Sequence, residues 1–213
     1  MIFRQIKYSD LKLFSKLVRD LWCFDDFCIN VSHAKYFNAV AVSQLFASSN
    51  FSLVIEENQE PKAFLLAKFN NRKFENKNQE INLKIINHLE RARRKLSSIY
   101  SFESFGISEY LRIAEGFEKL QFEIPKSSSN VELVFFCAVN NARGKGYSTL
   151  LLNAFTDICT ENRIKQIYLL TDEQCTYTYY DYQKFSKIKT LDEKLCIGSK
   201  EISNKIFLYV KDI

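Results

Sequence analysis

Hydrophobic and polar positions change period several times along the chain, and each change predicts an element. Residues 2–6 read as a short strand. From Ser9, whose side chain can cap a helix, Leu11, Phe14, Leu17, Val18 and Leu21 recur at helical spacing. A second helix is predicted over about 33–48. Strands follow at about 51–56 and 61–69, with Asn58 and Pro61 in the turn between them. Residues 80–122 predict two helices, the first with Ile85, Leu89, Ala92 and Leu96 on one face. The pattern then predicts a strand at 131–139, a helix at 146–162, a strand at 166–171, a helix at 173–185, and closing strands near 187–198 and 203–211. The order is mixed α/β.

Chemistry concentrates in VELVFFCAVNNARGKGYSTLLL, Val131 to Leu152, which reads as an apolar strand, a glycine-containing turn and a helix start. Backbone N–H groups at a helix start lack acceptors and carry roughly half a positive charge, so they can hold a phosphate. Gly144 and Gly146 let the backbone approach a ligand closely, and Arg143 and Lys145 add charge beside the same groups. Three phosphate loops compete for the segment. A G-x-x-x-x-G-K-[ST] loop fails on spacing. A dinucleotide fingerprint needs a third glycine where Thr149 stands, although Asp172 after the next strand could mimic its ribose-binding acid. The loop also starts near residue 140 of 213, which leaves too little chain after it for a doubly wound sheet.

The third class fits best. Arg143-x-x-Gly146-x-Ser148 resembles the R/Q-x-x-G-x-G/A pyrophosphate loop of the GNAT superfamily of acyl-CoA-dependent N-acetyltransferases, and Val139 ends the preceding strand as in that family. Tyr179-Tyr180-Asp181-Tyr182-Gln183-Lys184-Phe185 is similar to its F-Y-E-K-x-G-F run. Ser148 and Lys184 depart from the pattern, and Lys184 stands where glycine takes a left-handed conformation freely. The resemblance is strong over about 130–186 and weaker, in element order, over 1–70. It implies a central mixed, mostly antiparallel sheet flanked by helices in a single 1–213 domain, with a helical insertion at about 70–130 and an acetyl-CoA-binding core at 131–186.

It also implies roles. Acetyl-CoA would lie along the backbone of Cys137, Ala138 and Val139, its pantetheine arm pairing as an added strand does. Its pyrophosphate would lie on Arg143, Gly144, Lys145, Gly146, Tyr147, Ser148 and Thr149. Tyr180 matches the family's tyrosine, a proton donor to the departing sulfur. Glu132, at the start of the loop's strand, matches a glutamate that deprotonates the amine directly or through water. A packing surface of Tyr177, Tyr179, Tyr180 and Tyr182 and a solvated Glu132 are the bland alternatives.

The acceptor depends on the least matched regions. In Trp22-Cys23-Phe24-Asp25-Asp26-Phe27, acids among aromatics suit a cationic amine, so Trp22, Asp25 and Asp26 are candidate acceptor residues; a loop packed by its own aromatics is the competing reading.

Composition narrows the rest. The chain is 46% hydrophobic and 26% charged, ordinary for a soluble domain, with no apolar run of membrane-spanning length and an early-charged N-terminus. A cytoplasmic location and no membrane partner are expected. Six cysteines at 23, 28, 137, 159, 175 and 196 form no C-x-x-C pair and meet only two histidines, so reduced thiols and no metal are expected. Cys175 is predicted near a helix start, where Asp172 and Glu173 would raise its thiol pKa. The net charge of +5 and the basic run Arg91-Ala92-Arg93-Arg94-Lys95 fall short of a nucleic-acid surface. A catalytic N-acetyltransferase and a CoA-binding or partner-binding module without turnover both stay open, as does a homodimer.

Overall fold

The computed structural model describes residues 1–28, 31–70, 105–197 and 200–213, together with Asn87, Arg91 and Arg94. The chain opens with strand β1 (Ile2–Arg4), a 3-10 turn (Tyr8–Asp10), helix α1 (Leu11–Leu21), a short α2 (Phe24–Phe27) and α3 (Val31–Ala47). Strands β2 (Phe51–Glu57) and β3 (Glu60–Phe69) follow, then helix α4 (Phe105–Gln121) and strand β4 (Asn130–Ala138). A second 3-10 turn (Asn140–Ala142) leads into α5 (Tyr147–Glu161), β5 (Gln166–Asp172), the short α6 (Thr178–Tyr182), β6 (Ser186–Ile197) and β7 (Lys200–Asp212).

Among the described residues the strands form one sheet in the order β1-β2-β3-β4-β5-β7-β6, antiparallel throughout except for the parallel pair β4–β5. The β2–β3 hairpin turns at Asn58 and Gln59, both at positive φ (53° and 62°), as a two-residue primed turn requires. Pro61 lies inside β3, opposite Glu56, rather than in the turn.

One face of the sheet carries α5. Its Leu151, Leu152, Phe155 and Cys159 are buried against Leu65, Val131, Leu133, Ile167 and Leu169. The opposite face carries α1 and α3 over β2–β4, where the Phe14 ring meets Phe46, Phe64 and Phe135 at 5.3, 5.4 and 5.0 Å between centroids. Such aromatic pairs add to burial through edge-to-face contact. Helix α4 covers the β5–β7 half of that face, with Leu120 buried among Tyr168, Ile206 and Leu208. Gly116 permits this approach, since a Cβ there would lie 2.6 Å from the Ile206 side chain.

Two elements differ from the sequence reading. Ser9 does not cap the first helix: it sits within the 3-10 turn, and no side chain caps α1. The Asp10 carboxylate instead accepts from the Lys7 N–H at 2.7 Å and pairs with Arg4, which also reaches Glu56, and these bonds close the turn. The tyrosine helix expected at 173–185 shrinks to Thr178–Tyr182. Asp172 Oδ1 accepts from the Gln174 and Cys175 N–H groups, both at 3.1 Å, and holds the chain there in a turn. The helix expected around Ile85–Leu96 and the basic run 91–95 lie outside the described residues, except for Arg91 and Arg94. Among the described residues no helix is long and apolar enough to cross a membrane.

Candidate functional site

The sheet opens in its middle. β4 and β5 pair only from Asn130↔Gln166 to Leu133↔Leu169, although both strands continue. The β3–β4 register slips between Leu66↔Phe135 and Ala67↔Leu133, so Val134 is an extra residue opposite β3. A bulge of this kind bends its strand and ends pairing. Beyond it β4 stays paired with β3 through Ala138, and its other edge faces the gap.

Which backbone groups face the gap follows from the register. The Val139 N–H donates to the Lys62 carbonyl at 2.9 Å, which makes Ala63↔Ala138 a pair without mutual hydrogen bonds. The N–H and C=O of Ala138 therefore point into the gap, and those of Phe136 do so by alternation. Of the three residues expected to line it, Cys137 directs its backbone groups to β3, whereas Val139 donates its N–H to β3 and its carbonyl accepts from the Ala142 N–H at 2.9 Å.

The open edge runs directly onto the helix start. Gly144 and Gly146 have φ of +74° and +81°, and a Cβ at either would meet nothing within 4 Å among the described residues. The glycines are thus required by backbone conformation, and the space above them is open. The first helical bond near the start of α5 runs from the Leu150 N–H to the Gly146 carbonyl at 3.0 Å, so the N–H groups of Tyr147, Ser148 and Thr149 have no intrahelical acceptor. Arg143 and Lys145 are exposed beside them. The Tyr147 hydroxyl donates to Glu57 at the end of β2, which ties the first turn of α5 to the sheet.

Across the gap stands α6. The half-buried Tyr180 ring packs against Tyr179, Phe185 and Tyr209 at 5.7, 5.7 and 5.9 Å. Burial pushes its phenol well above the usual tyrosine range, with Cys175, Tyr179 and Cys137 adding to the rise. Tyr179 and Tyr180 pack with Phe136 of β4 around the same core. Tyr179 packs on Phe136 at 5.8 Å, and among the described residues its buried hydroxyl has no hydrogen-bond partner, although the Thr149 hydroxyl is near. The family resemblance marks only Tyr180; the orphaned hydroxyl of Tyr179 appears in the structure alone. Lys184 adopts φ +62°, the conformation glycine would take there.

Cys175 is not at the first turn of this helix but in the Asp172 turn before it. Desolvation of the sulfur and the Asp172 carboxylate push its thiol up to about 11, which leaves it protonated at neutral pH. The Cys137 thiol is also raised, by burial, against the opposing charge of Arg143.

Glu132 lies on the opposite face of β4, half-buried, with Oε1 accepting from Gln121 Nε2 at 2.8 Å. Burial raises its carboxyl above the usual range, while the Gln121 bond and the charge of Lys68 pull it down.

The aromatics of the loop expected to bind the acceptor pack on one another and on α3. The Trp22 ring meets the buried Phe24 at 5.8 Å, and Phe24 meets Phe37 at 6.2 Å. The Asp25 carboxylate is paired through both oxygens with Arg19, which depresses its pKa. Arg19 therefore already holds the position expected for a cationic amine at Asp25. The Asp26 side chain lies outside the described residues. Among the described residues no cluster of His, Cys, Asp or Glu has metal-site geometry. Cys23, Cys28, Cys137, Cys159 and Cys175 are free thiols.

No family model and no curated protein sequence matches this chain. Solved structures do. The chain is similar to smu.2055 from Streptococcus mutans UA159, at 13% identity over 100% of this chain and 99% of that one, with a TM-score of 0.54. It is similar to NAA60 from Arabidopsis thaliana in complex with acetyl-CoA, at 16% identity over 100% and 98%, with a TM-score of 0.52. A ribosomal-protein-alanine N-acetyltransferase from Brucella melitensis aligns at 11% identity over 100% of both chains, with a TM-score of 0.52. At these identities the likeness is one of fold, and the fold is that of the GNAT N-acetyltransferases.

Proposed function

We propose that this chain is an N-acetyltransferase that moves an acetyl group from acetyl-CoA to a primary amine. The observation that carries the reading is the continuity between the free edge of β4, from Val134 to Ala138, and the glycine-rich start of α5. One surface of a long ligand is met by strand-like backbone groups and the next by unpaired helix N–H groups with open space above them. A thioester with a pantetheine arm and a pyrophosphate fits both. NAA60, with the same fold, was solved with acetyl-CoA.

Acetyl-CoA supplies the activated acetyl thioester. The protein's part is to hold it and to manage two protons. Ala138 and Phe136 receive the arm along the edge, and Gly144 through Thr149, flanked by Arg143 and Lys145, receive the pyrophosphate. Glu132 takes the proton of the attacking amine, directly or through water, as nitrogen bonds to the acetyl carbon and the carbon–sulfur bond breaks. The Tyr180 hydroxyl donates to the departing sulfur. Burial raises its pKa, which keeps the phenol protonated at neutral pH and favours hydrogen-bond donation to the sulfur.

Thermal unfolding with acetyl-CoA, CoA, NAD and ATP tests the ligand class. A ligand at 100 times its Kd adds about 2.7 kcal/mol to stability. Stabilisation by acetyl-CoA and CoA, followed by acetyl-CoA-dependent release of free CoA with amine acceptors, is expected. Stabilisation without release in any acceptor screen would leave a CoA-binding module, and stabilisation by NAD alone would replace the reading.

A further inference from the structure

Helix α4 lies between β3 and β4, in the part of the chain that the sequence resemblance leaves unmatched, and its last residue, Gln121, holds Glu132. The helix end is fixed on several sides. Gly116 sits against Ile206 and Glu193, Leu120 is buried in the sheet-facing cluster, and ion pairs Lys119–Glu193 (2.9 Å) and Glu123–Lys189 (2.6 Å) flank Gln121 in sequence. The Gln121 amide therefore starts from an anchored backbone and has little freedom to lose when it bonds Oε1. Among the described residues no hydrogen bond to Glu132 Oε2 is present, so one oxygen is held and the other is available.

We propose that Gln121 is the positioning residue for Glu132 as proton acceptor: its amide fixes one carboxylate oxygen and orients the other toward the amine. The inference rests on the acetyl-transfer reading. The surroundings of Glu132 are simple enough to test it. β3 contributes Lys68 directly across the register, β5 contributes Tyr168, whose phenol bonds Gln166 Oε1 at 2.8 Å, and α4 contributes the neutral Gln121. Lys68 is the charge that bears on the carboxyl among the described residues.

The test is a pair of substitutions of opposite sign, read by carboxyl-carbon NMR titration of the full chain, with the Glu132 resonance identified by its loss in Glu132→Gln. Gln121→Met keeps length and removes the donor, so the Glu132 midpoint moves up by about one pH unit, the scale of one hydrogen bond to a charged group. Gln121→Lys replaces the donor by a cation, so the midpoint moves down. With poly-L-lysine as acceptor, the acid limb of kcat/KM follows both shifts while the affinity for acetyl-CoA is unchanged. A midpoint that stays in place in both variants, or a limb that stays while the midpoint moves, overturns the assignment. Absence of acetyl-CoA turnover in the unsubstituted chain would overturn the acetyl-transfer reading, and any catalytic role for Gln121 with it, although the NMR shifts would still report the contact.

Discussion

The Tyr209 hydroxyl donates to Asp181 Oδ1 at 2.9 Å, joining a fully buried tyrosine of β7 to the middle of α6. A five-residue helix cannot hold itself, because helix formation needs several turns to offset its nucleation cost. The Tyr209 ring also lies 5.9 Å from that of Tyr180, so the tether sets where Tyr180 stands. The two ends of the bond are unequal. Tyr209→Phe leaves an exposed carboxylate that water can solvate, at a cost of about 1 kcal/mol, whereas Asp181→Ala strands a buried hydroxyl and costs up to about 3 kcal/mol. Urea unfolding of the two variants should show Asp181→Ala as the weaker protein, with turnover reduced in both. The reverse order would mean that the bond does not anchor α6.

Lys184 is strained where the motif it resembles has glycine. A side chain at φ +62° costs roughly 1–2 kcal/mol, and glycine recovers most of it minus its own entropy. Lys184→Gly should stabilise the chain by about 1 kcal/mol, raising Tm by about 2–4 °C for a domain of this size. Acetyl-CoA affinity should be unaffected. A fall in Tm would show that the lysine side chain makes a compensating contact.

Lys184 and the Tyr209–Asp181 tether show what was and was not legible in the sequence. Lys184 could be marked as a conflict from the motif alone, and the strand–turn–helix around Gly144 and Gly146 could be placed because periodicity and glycine are local signals. The splay of β4 from β5 could not. It depends on a one-residue register slip at Val134, which is a property of three strands together and leaves no mark in the composition of any one. The tether from Asp181 to Tyr209 spans 28 positions and the Gln121–Glu132 bond comes from an unmatched helix, so neither had a motif to announce it. The pairing of Asp25 with Arg19 was hidden for a similar reason. Arg19 lies one helix earlier, and only folding reveals that it neutralises the loop's acid.

Tyr179 and Tyr180 are adjacent and should respond oppositely to the same substitution. Among the described residues the buried Tyr179 hydroxyl has no hydrogen-bond partner, a destabilising arrangement in the free protein. Tyr179→Phe should therefore stabilise the unliganded chain, by about 1 kcal/mol, and weaken acetyl-CoA binding if a ligand group completes that hydroxyl. Tyr180→Phe should leave acetyl-CoA affinity intact and lower turnover more than about tenfold, the lower bound expected for a group that assists the leaving sulfur. Calorimetric titration and steady-state kinetics on both variants separate the roles. Equal effects would reduce the pair to packing.

Gly146 should be sensitive for reasons that can be separated. Alanine at φ +81° is strained by roughly 1–2 kcal/mol, but among the described residues nothing lies within 4 Å of its methyl group. The same methyl would stand in the space that a pyrophosphate needs against the helix N–H groups. Gly146→Ala is expected to lose only that modest stability and at least tenfold in acetyl-CoA affinity, measured by calorimetry on the folded variant. Affinity that survives would move the pyrophosphate away from the start of α5.

One proton on Glu132 should set stability and activity against each other. The folded carboxyl is raised above its ordinary value of about 4.3, chiefly by burial, so the folded state holds this proton more tightly than the unfolded chain does. Its contribution to stability is fully present below the unfolded value and is lost as pH rises through the folded one. Between those limits the native chain loses stability relative to Glu132→Gln, whose neutral amide does not titrate, and the gap is complete and constant above them. Turnover runs the other way, since the base acts only as carboxylate, and kcat/KM should climb through the same window. Urea unfolding of both proteins from pH 4 to pH 7, overlaid on the pH–rate profile, makes the comparison. Stability curves that stay parallel would show that Glu132 is solvated, and a rate profile without an acid limb in that window would remove it as the base.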